Sequence, residues 1–221
     1  MWYSAVSFFL EPAMSRVVPL VRLPATDSLN PKIRSRQDGT RVRILAESAA
    51  LFLTHGYENV SVEQIIAATG IARSSFYRLF ANREDVLASI IRPVFGDGLT
   101  HLNAITARDA HGVLHGIFDT YLALWAASPD ALRLSTRTGG VYFELFRDLH
   151  TLFREAITRL VRFAEPDGHL LNGSANYTAR LIGRTAVPVL EVYSRDPRFP
   201  DLFRSTMSGF LLTPTPEEKT P

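Results

Sequence analysis

The sequence predicts an all-α protein, and three observations carry that prediction. Apolar residues recur at three- and four-residue spacing in one stretch after another. No stretch of useful length alternates apolar with polar residues, and no internal repeat is present. Glycine, proline and capping residues fall between the periodic stretches, where helices need to end. The 221 residues, 46% of them hydrophobic, are enough for a small domain joined to a medium one.

Composition excludes several classes of function. There are no cysteines, so disulfide scaffolds, thiolate zinc sites and cysteine nucleophiles are ruled out. No apolar run approaches the ~18 residues a membrane-spanning helix needs, and Ala5–Leu10 lacks the basic flank of a secretory signal. The expectation is a cytoplasmic protein with no membrane partner. The formal charge of +2 does not by itself announce a nucleic-acid binder, so the distribution of charge matters more than its sum. Of 24 basic residues, 22 are arginine, the side chain whose fork suits phosphates and guanine edges.

Residues 1–37 carry Pro12, Pro19, Pro24 and Pro31 without helical period and read as a disordered arm, with Met14 as an alternative start. The basic Lys32, Arg34 and Arg36 at its end suit a DNA backbone or a solvated charge run. Val42, Leu45, Ala49, Phe52 and Leu53 then form one apolar stripe, closed by Gly56. Ser61-Val-Glu-Gln64 is a capping box that opens a short helix with Val62, Ile65 and Ile66 on its apolar face, and Thr69-Gly70 closes it. A second short helix, Arg73–Phe80, follows almost at once, and Asn82 caps a fourth with acids in its first turn. That fourth helix meets Pro93, Gly96 and Gly98, where a kink or break is expected. Further helices are expected near Ala110–Ala126, Gly140–Ala164, Ser174–Tyr193 and Phe199–Leu212, and residues 214–221 read as a frayed tail.

Two short helices across a tight glycine turn, braced by a longer helix before them, make a helix-turn-helix pattern. The second helix must present a polar, donor-rich outer face. Arg73, Ser74, Ser75 and Arg78 supply it, while Phe76, Leu79 and Phe80 point back to the core. No acid occurs from Gln64 to Arg83, so nothing along that window repels phosphate.

The stretch Arg41-Val-Arg-Ile-Leu, Phe52, His55-Gly-Tyr57, Ser61-Val-Glu-Gln-Ile-Ile, Gly70-Ile-Ala-Arg-Ser-Ser-Phe-Tyr77-Arg-Leu-Phe80, Asn82-Arg-Glu-Asp-Val-Leu87 resembles the DNA-binding domain of the TetR family. The resemblance implies a recognition helix at Ala72–Leu79, with Arg73, Ser74 and Ser75 near base edges and Arg78 near the backbone. It places Tyr77 on a phosphate, whereas helical spacing alone leaves Tyr77 between core and phosphate. Arg41, Ser61 and Arg83 complete the implied DNA-contacting set. Two positions depart from the family pattern: Ala72 stands where a Ser or Thr cap is usual, and Arg83 where Lys is usual.

The same resemblance implies an N-terminal helix-turn-helix domain at 38–91 and a C-terminal helical bundle for ligand binding and dimerisation at 92–213. Phe118, Tyr121, Trp125, Tyr142 and Phe146 are the pocket candidates, against the plainer reading that they are core. Ala175, Ala179, Ile182, Ala186, Leu190, Leu202, Phe203, Phe210 and Leu211 mark the implied dimer interface, with Pro188 placing the last turn of its helix in doubt. His111, His115 and Asp119 share one helical face, but Gly112 and the missing acid after His111 favour a polar face over a metal site. Neither a cofactor motif nor a catalytic one appears, so an enzyme is not expected. The expected partners are double-stranded DNA, a second copy of the chain and a small hydrophobic or aromatic effector. The alternatives are a regulator without an effector, and a helical binding module whose N-terminal unit is only structural.

Overall fold

The computed structural model describes residues 31–138 and 140–214, with side chains from residue 37 onward apart from 139–141. Two compact units divide at Asp38–Gly39. Of the first, residues 31–38 are described, as the opening turns of a helix; every later element belongs to the second. Nine α-helices lie among the described residues, and no strand longer than an isolated bridge. None of these helices is long and apolar enough to cross a membrane.

Helix α1 spans Pro31–His55 and so begins inside the stretch expected to be a disordered arm. The rest of that arm, and the tail after Pro214, lie outside the described residues. The buried stripe of α1 runs Ile44, Ser48, Phe52 with Ala49 beside it, while Val42 is two-thirds exposed. This stripe is rotated from the expected one because Ser48, fully buried, is polar yet small enough for close helix packing. Gly56 ends the helix at φ 80°, and Asn59 Nδ2 donates to the His55 carbonyl at 2.9 Å. A 3₁₀ turn, Tyr57–Asn59, then leads to α2, Val62–Thr69. Both halves of the capping box form: Gln64 N donates to Ser61 Oγ at 3.2 Å, and Ser61 N to Gln64 Oε1 at 2.7 Å.

Gly70, at φ 63°, takes the left-handed conformation that turns the chain into α3, Arg73–Leu79. Ala72 offers α3 no side-chain cap, as an alanine must. Phe76 and Phe80 are buried and pack on each other, and Arg41 of α1 covers the Phe80 ring. Helix α4, Arg83–Asn103, starts at Asn82, whose side chain accepts from Asp85 N at 2.8 Å. It passes through Pro93 without interruption, contrary to the break expected there. Pro93 is solvent-exposed, whereas Val94, Phe95, Gly98 and Leu102 are buried against neighbouring helices, so packing holds the helix across the missing donor. Gly98 does not break the helix: a Cβ there would lie 2.4 Å from the Phe153 ring, so it marks a close crossing.

Helix α5, Ala110–Ala127, is buried on most of its circumference and forms the centre of the bundle. Next comes α6, Pro129–Arg137, where the sequence suggests only a proline-bearing connection; Pro129 opens the helix instead. The long helix expected over Gly140–Ala164 is two elements, a 3₁₀ segment at Gly140–Leu145 and α7 at Arg147–Ala164. The break falls at Phe146, fully buried and stacked on Phe95 with centroids 5.8 Å apart. Helix α8, Ala175–Tyr193, runs past Pro188, and α9, Phe199–Leu211, packs along it.

Candidate nucleic-acid interface and effector cavity

The outer face of α3 is assembled as the sequence predicts. Arg73, Ser74, Tyr77 and Arg78 are exposed and Ser75 is half-exposed. Tyr77 is a large aromatic left 46% in solvent while its neighbour Phe76 is buried, which makes it a surface residue. Its ring meets Phe76 edge-on, and the Arg73 guanidinium lies 5.6 Å from its centroid. Arg73 also reaches Glu63 at 3.2 Å, an acid just outside the acid-free window; with both side chains well exposed, this pair is readily exchanged for a phosphate. Arg78 lies 3.5 Å from Ser75 Oγ. Ser61 Oγ is taken up as the α2 cap, which leaves its hydroxyl hydrogen as the available donor.

Arg41 and Arg83, also in the implied DNA-contacting set, are engaged within the protein itself. Arg41 donates to the Leu79 carbonyl at 3.3 Å and to Ser89 Oγ at 3.0 Å, with its guanidinium 4.5 Å from the Phe80 ring centroid. It thereby ties the end of α3 to α1 and α4. Arg83 directs one nitrogen at the carbonyls of Tyr57, Glu58 and Val60, at 3.3, 3.2 and 2.8 Å, and its guanidinium covers the Tyr57 ring at 4.7 Å. Burial and the nearby Glu84 carboxylate push the Tyr57 phenol well above its usual range, so it stays neutral. Both arginines are clamps that hold the recognition unit together, a use invisible to spacing because their acceptors are backbone carbonyls.

A cavity of about 860 Å³ opens among α4, α5, α6, α7 and α8. Of the five expected pocket residues, only Tyr121 lines it. Phe118 is fully buried against Phe203 of α9, and Phe146 against Phe95. Trp125 is buried beneath the Arg133 guanidinium at 4.7 Å. Tyr142 turns the other way and packs on Tyr57, with centroids 4.3 Å apart. Helical spacing identifies these aromatics as inward-facing but cannot say whether they meet a neighbour or a void. The actual wall combines Phe95, Tyr121, Phe143, Phe153 and Ile157 with a polar side that sequence reading missed. That side holds Arg137, Arg154, Arg180, Arg184, His150 and Glu191. Burial and the Arg154 charge hold the His150 imidazole below its usual value, which keeps it neutral at pH 7. Tyr121 is likewise held neutral by burial.

Most of the implied interface residues face inward. Ala175, Ala179, Ile182, Ala186, Leu190, Phe203 and Leu211 are all buried within this chain's own core. Phe210 of that set is exposed, and Tyr177 and Val192 are the other large apolar residues exposed on α8 and α9. Asp119 is engaged by Arg204 of α9 at 2.8 Å, and the His111 ring faces His169, so the polar face of α5 serves helix packing.

Residues 44–90 match the family model described as bacterial regulatory proteins of the tetR family. The HTH-type transcriptional regulator TcmR of Streptomyces glaucescens is 32% identical over 144 residues, a stretch that covers 56% of this chain and 61% of TcmR. The fold resembles that of the probable transcriptional regulatory protein RHA5900, with a TM-score of 0.66 at 22% identity over 77% of this chain and 96% of that one. It also resembles SmeT, the repressor of the Stenotrophomonas maltophilia multidrug efflux pump SmeDEF, with a TM-score of 0.53 at 22% identity over 80% of this chain and 92% of SmeT. A SmeT–triclosan complex has the same likeness, with a TM-score of 0.54 at 21% identity over 79% of this chain and 92% of that one. The helix-turn-helix unit at residues 44–90 is thus a DNA-binding domain of the TetR type, and the fold as a whole resembles those of these regulators.

Proposed function

We propose that the chain is a homodimeric repressor that reads a palindromic DNA site through α3 and is released when a small molecule enters the cavity. The observation that carries the DNA-reading part is the exposed, acid-free face of α3, with Tyr77 held out in solvent beside Arg73 and Arg78. A tyrosine hydroxyl and arginine forks of this kind serve phosphate and base-edge contacts. One such helix covers too few base pairs for strong specificity, and a two-fold dimer doubles the site. Tyr177, Val192 and Phe210 give α8 and α9 the exposed apolar character that a helical dimer face needs. Release by a ligand is supported by a cavity of a size that accommodates small molecules, placed where α4 and the Gly140–Leu145 segment both border it or adjoin its wall. The SmeT–triclosan complex is a precedent for a small molecule held on this fold.

The test is fluorescence anisotropy with double-stranded DNA selected from a random pool by the purified protein. A dimer neutralising about 6–10 phosphates should lose about 10³–10⁵ in affinity between about 50 and 200 mM salt. Enrichment of no sequence, together with salt-insensitive binding, removes the DNA-reading role.

A further inference from the structure

We infer that the cavity is built for an amphipathic organic anion, an aromatic body carrying one acidic head group, rather than for a purely apolar ligand. This rests on the proposed effector role and narrows it to a ligand class. Four arginines line the space and a single acid, Glu191, faces them. Glu191 is already engaged, by Arg137 at 2.7 Å and by Arg133 at 3.1 Å. The guanidinium groups of Arg154, Arg180 and Arg184 have no carboxylate partner and no hydrogen bond among the described residues.

Arg180 and Arg184 stand four residues apart on α8, a like-charge spacing that costs a helix some stability. Arg154 on α7 adds a third charge at the same cavity. His150, on the same wall, is held neutral and adds no charge of its own to theirs. The three arginines are solvent-exposed members of the cavity lining and so free to turn onto a bound anion, and guanidinium forks match a planar carboxylate or a sulfonate. The remaining wall is aromatic and aliphatic: Phe95, Tyr121, Phe153, Ile157 and Val187 would enclose the ligand's body. Gly183 lies between the two α8 arginines, and a Cβ there would meet nothing within 4 Å, so the approach between them is open.

The experiment uses two fluorescent probes of nearly the same shape. Anilinonaphthalenesulfonate carries an anionic head, and phenylnaphthylamine is its neutral counterpart. The full-length parent is expected to bind the sulfonate at least about tenfold more tightly than the amine. Arg154→Gln, Arg180→Gln and Arg184→Gln should each weaken the sulfonate by about 3-fold to 10-fold and leave the amine unchanged. Gly183→Trp, which fills the gap between the arginines, should weaken both probes. Equal affinity for the two probes in the parent overturns the inference. So does a sulfonate preference that survives the triple glutamine variant, or probe binding indifferent to Gly183→Trp. Anisotropy on the selected DNA separates this from the regulator role on which it rests. A parent that prefers the anion yet binds no DNA leaves the ligand class standing and removes the regulator role.

Discussion

Two kinds of arginine sit in the recognition unit, and single substitutions separate them. Arg41 and Arg83 satisfy backbone carbonyls and cover aromatic rings, so their loss should be felt in stability. Arg83→Ala removes the side-chain donor to the Glu58 and Val60 carbonyls and one of two donors to the Tyr57 carbonyl, and should cost about 1–3 kcal/mol in chemical denaturation. Arg83→Lys should recover only part of this, because one ammonium lacks the planar fork that also lies over the Tyr57 ring. Tyr77→Ala should behave in the opposite way. Its side chain is half in solvent, so stability should change by less than about 0.5 kcal/mol while affinity falls for all DNA sequences alike. Arg73→Ala should relax preference at one base pair per half-site, by about 1–3 kcal/mol there. Equal DNA affinity in the parent, Tyr77→Ala and Arg73→Ala would remove α3 as the reading element.

At the scale of elements, the helix-turn-helix was legible because its signals are local. Ser61 and Gln64 close a capping box within four residues, and Gly70 and Asn82 mark their boundaries unaided. The cavity was not legible, because its wall is drawn from five helices and its emptiness depends on how they pack. The same limit applies to the implied interface residues, most of which face inward. Periodicity identifies an apolar face on α8 and α9 but does not say which molecule covers it, and that face is covered by this chain's own core. The consequence is a paired test. Leu211, fully buried, should not tolerate Asp, and Leu211→Asp should lose the far-ultraviolet helical signal at more than about 4 kcal/mol of destabilisation. Phe210, its exposed neighbour, should tolerate Asp with helical content intact while sedimentation shifts from dimer to monomer. A Phe210→Asp protein that remains a dimer as tight as the parent moves the interface elsewhere.

For the whole molecule, the question is how a filled cavity would reach the DNA-reading face, and besides α4 itself the Gly140–Leu145 segment touches both. Within Gly140–Leu145, Tyr142 packs on Tyr57 of the recognition unit while its neighbour Phe143 lines the cavity. The Leu145 carbonyl accepts from Arg92 of α4 at 2.9 Å, and the Arg92 guanidinium also pairs with Asp148 at 3.0 Å. A ligand pressing on Phe143, as proposed, would act on α4 and on Tyr57 through the same few residues. A short 3₁₀ segment suits this role, because its poorer hydrogen-bond geometry gives way before that of an α-helix does. Coupling between two ligands is reciprocal, so protein saturated with its selected DNA should bind the sulfonate probe more weakly, by a factor of about 5 to 150. Tyr142→Ala should bring that factor towards one while the free protein keeps its affinities for probe and for DNA. Arg92→Ala should reduce it as well, by freeing α4 from the segment. If both variants keep the full factor, the signal travels through the direct packing of α4 on α7 at Gly98 and Phe153, and the segment is only a connection.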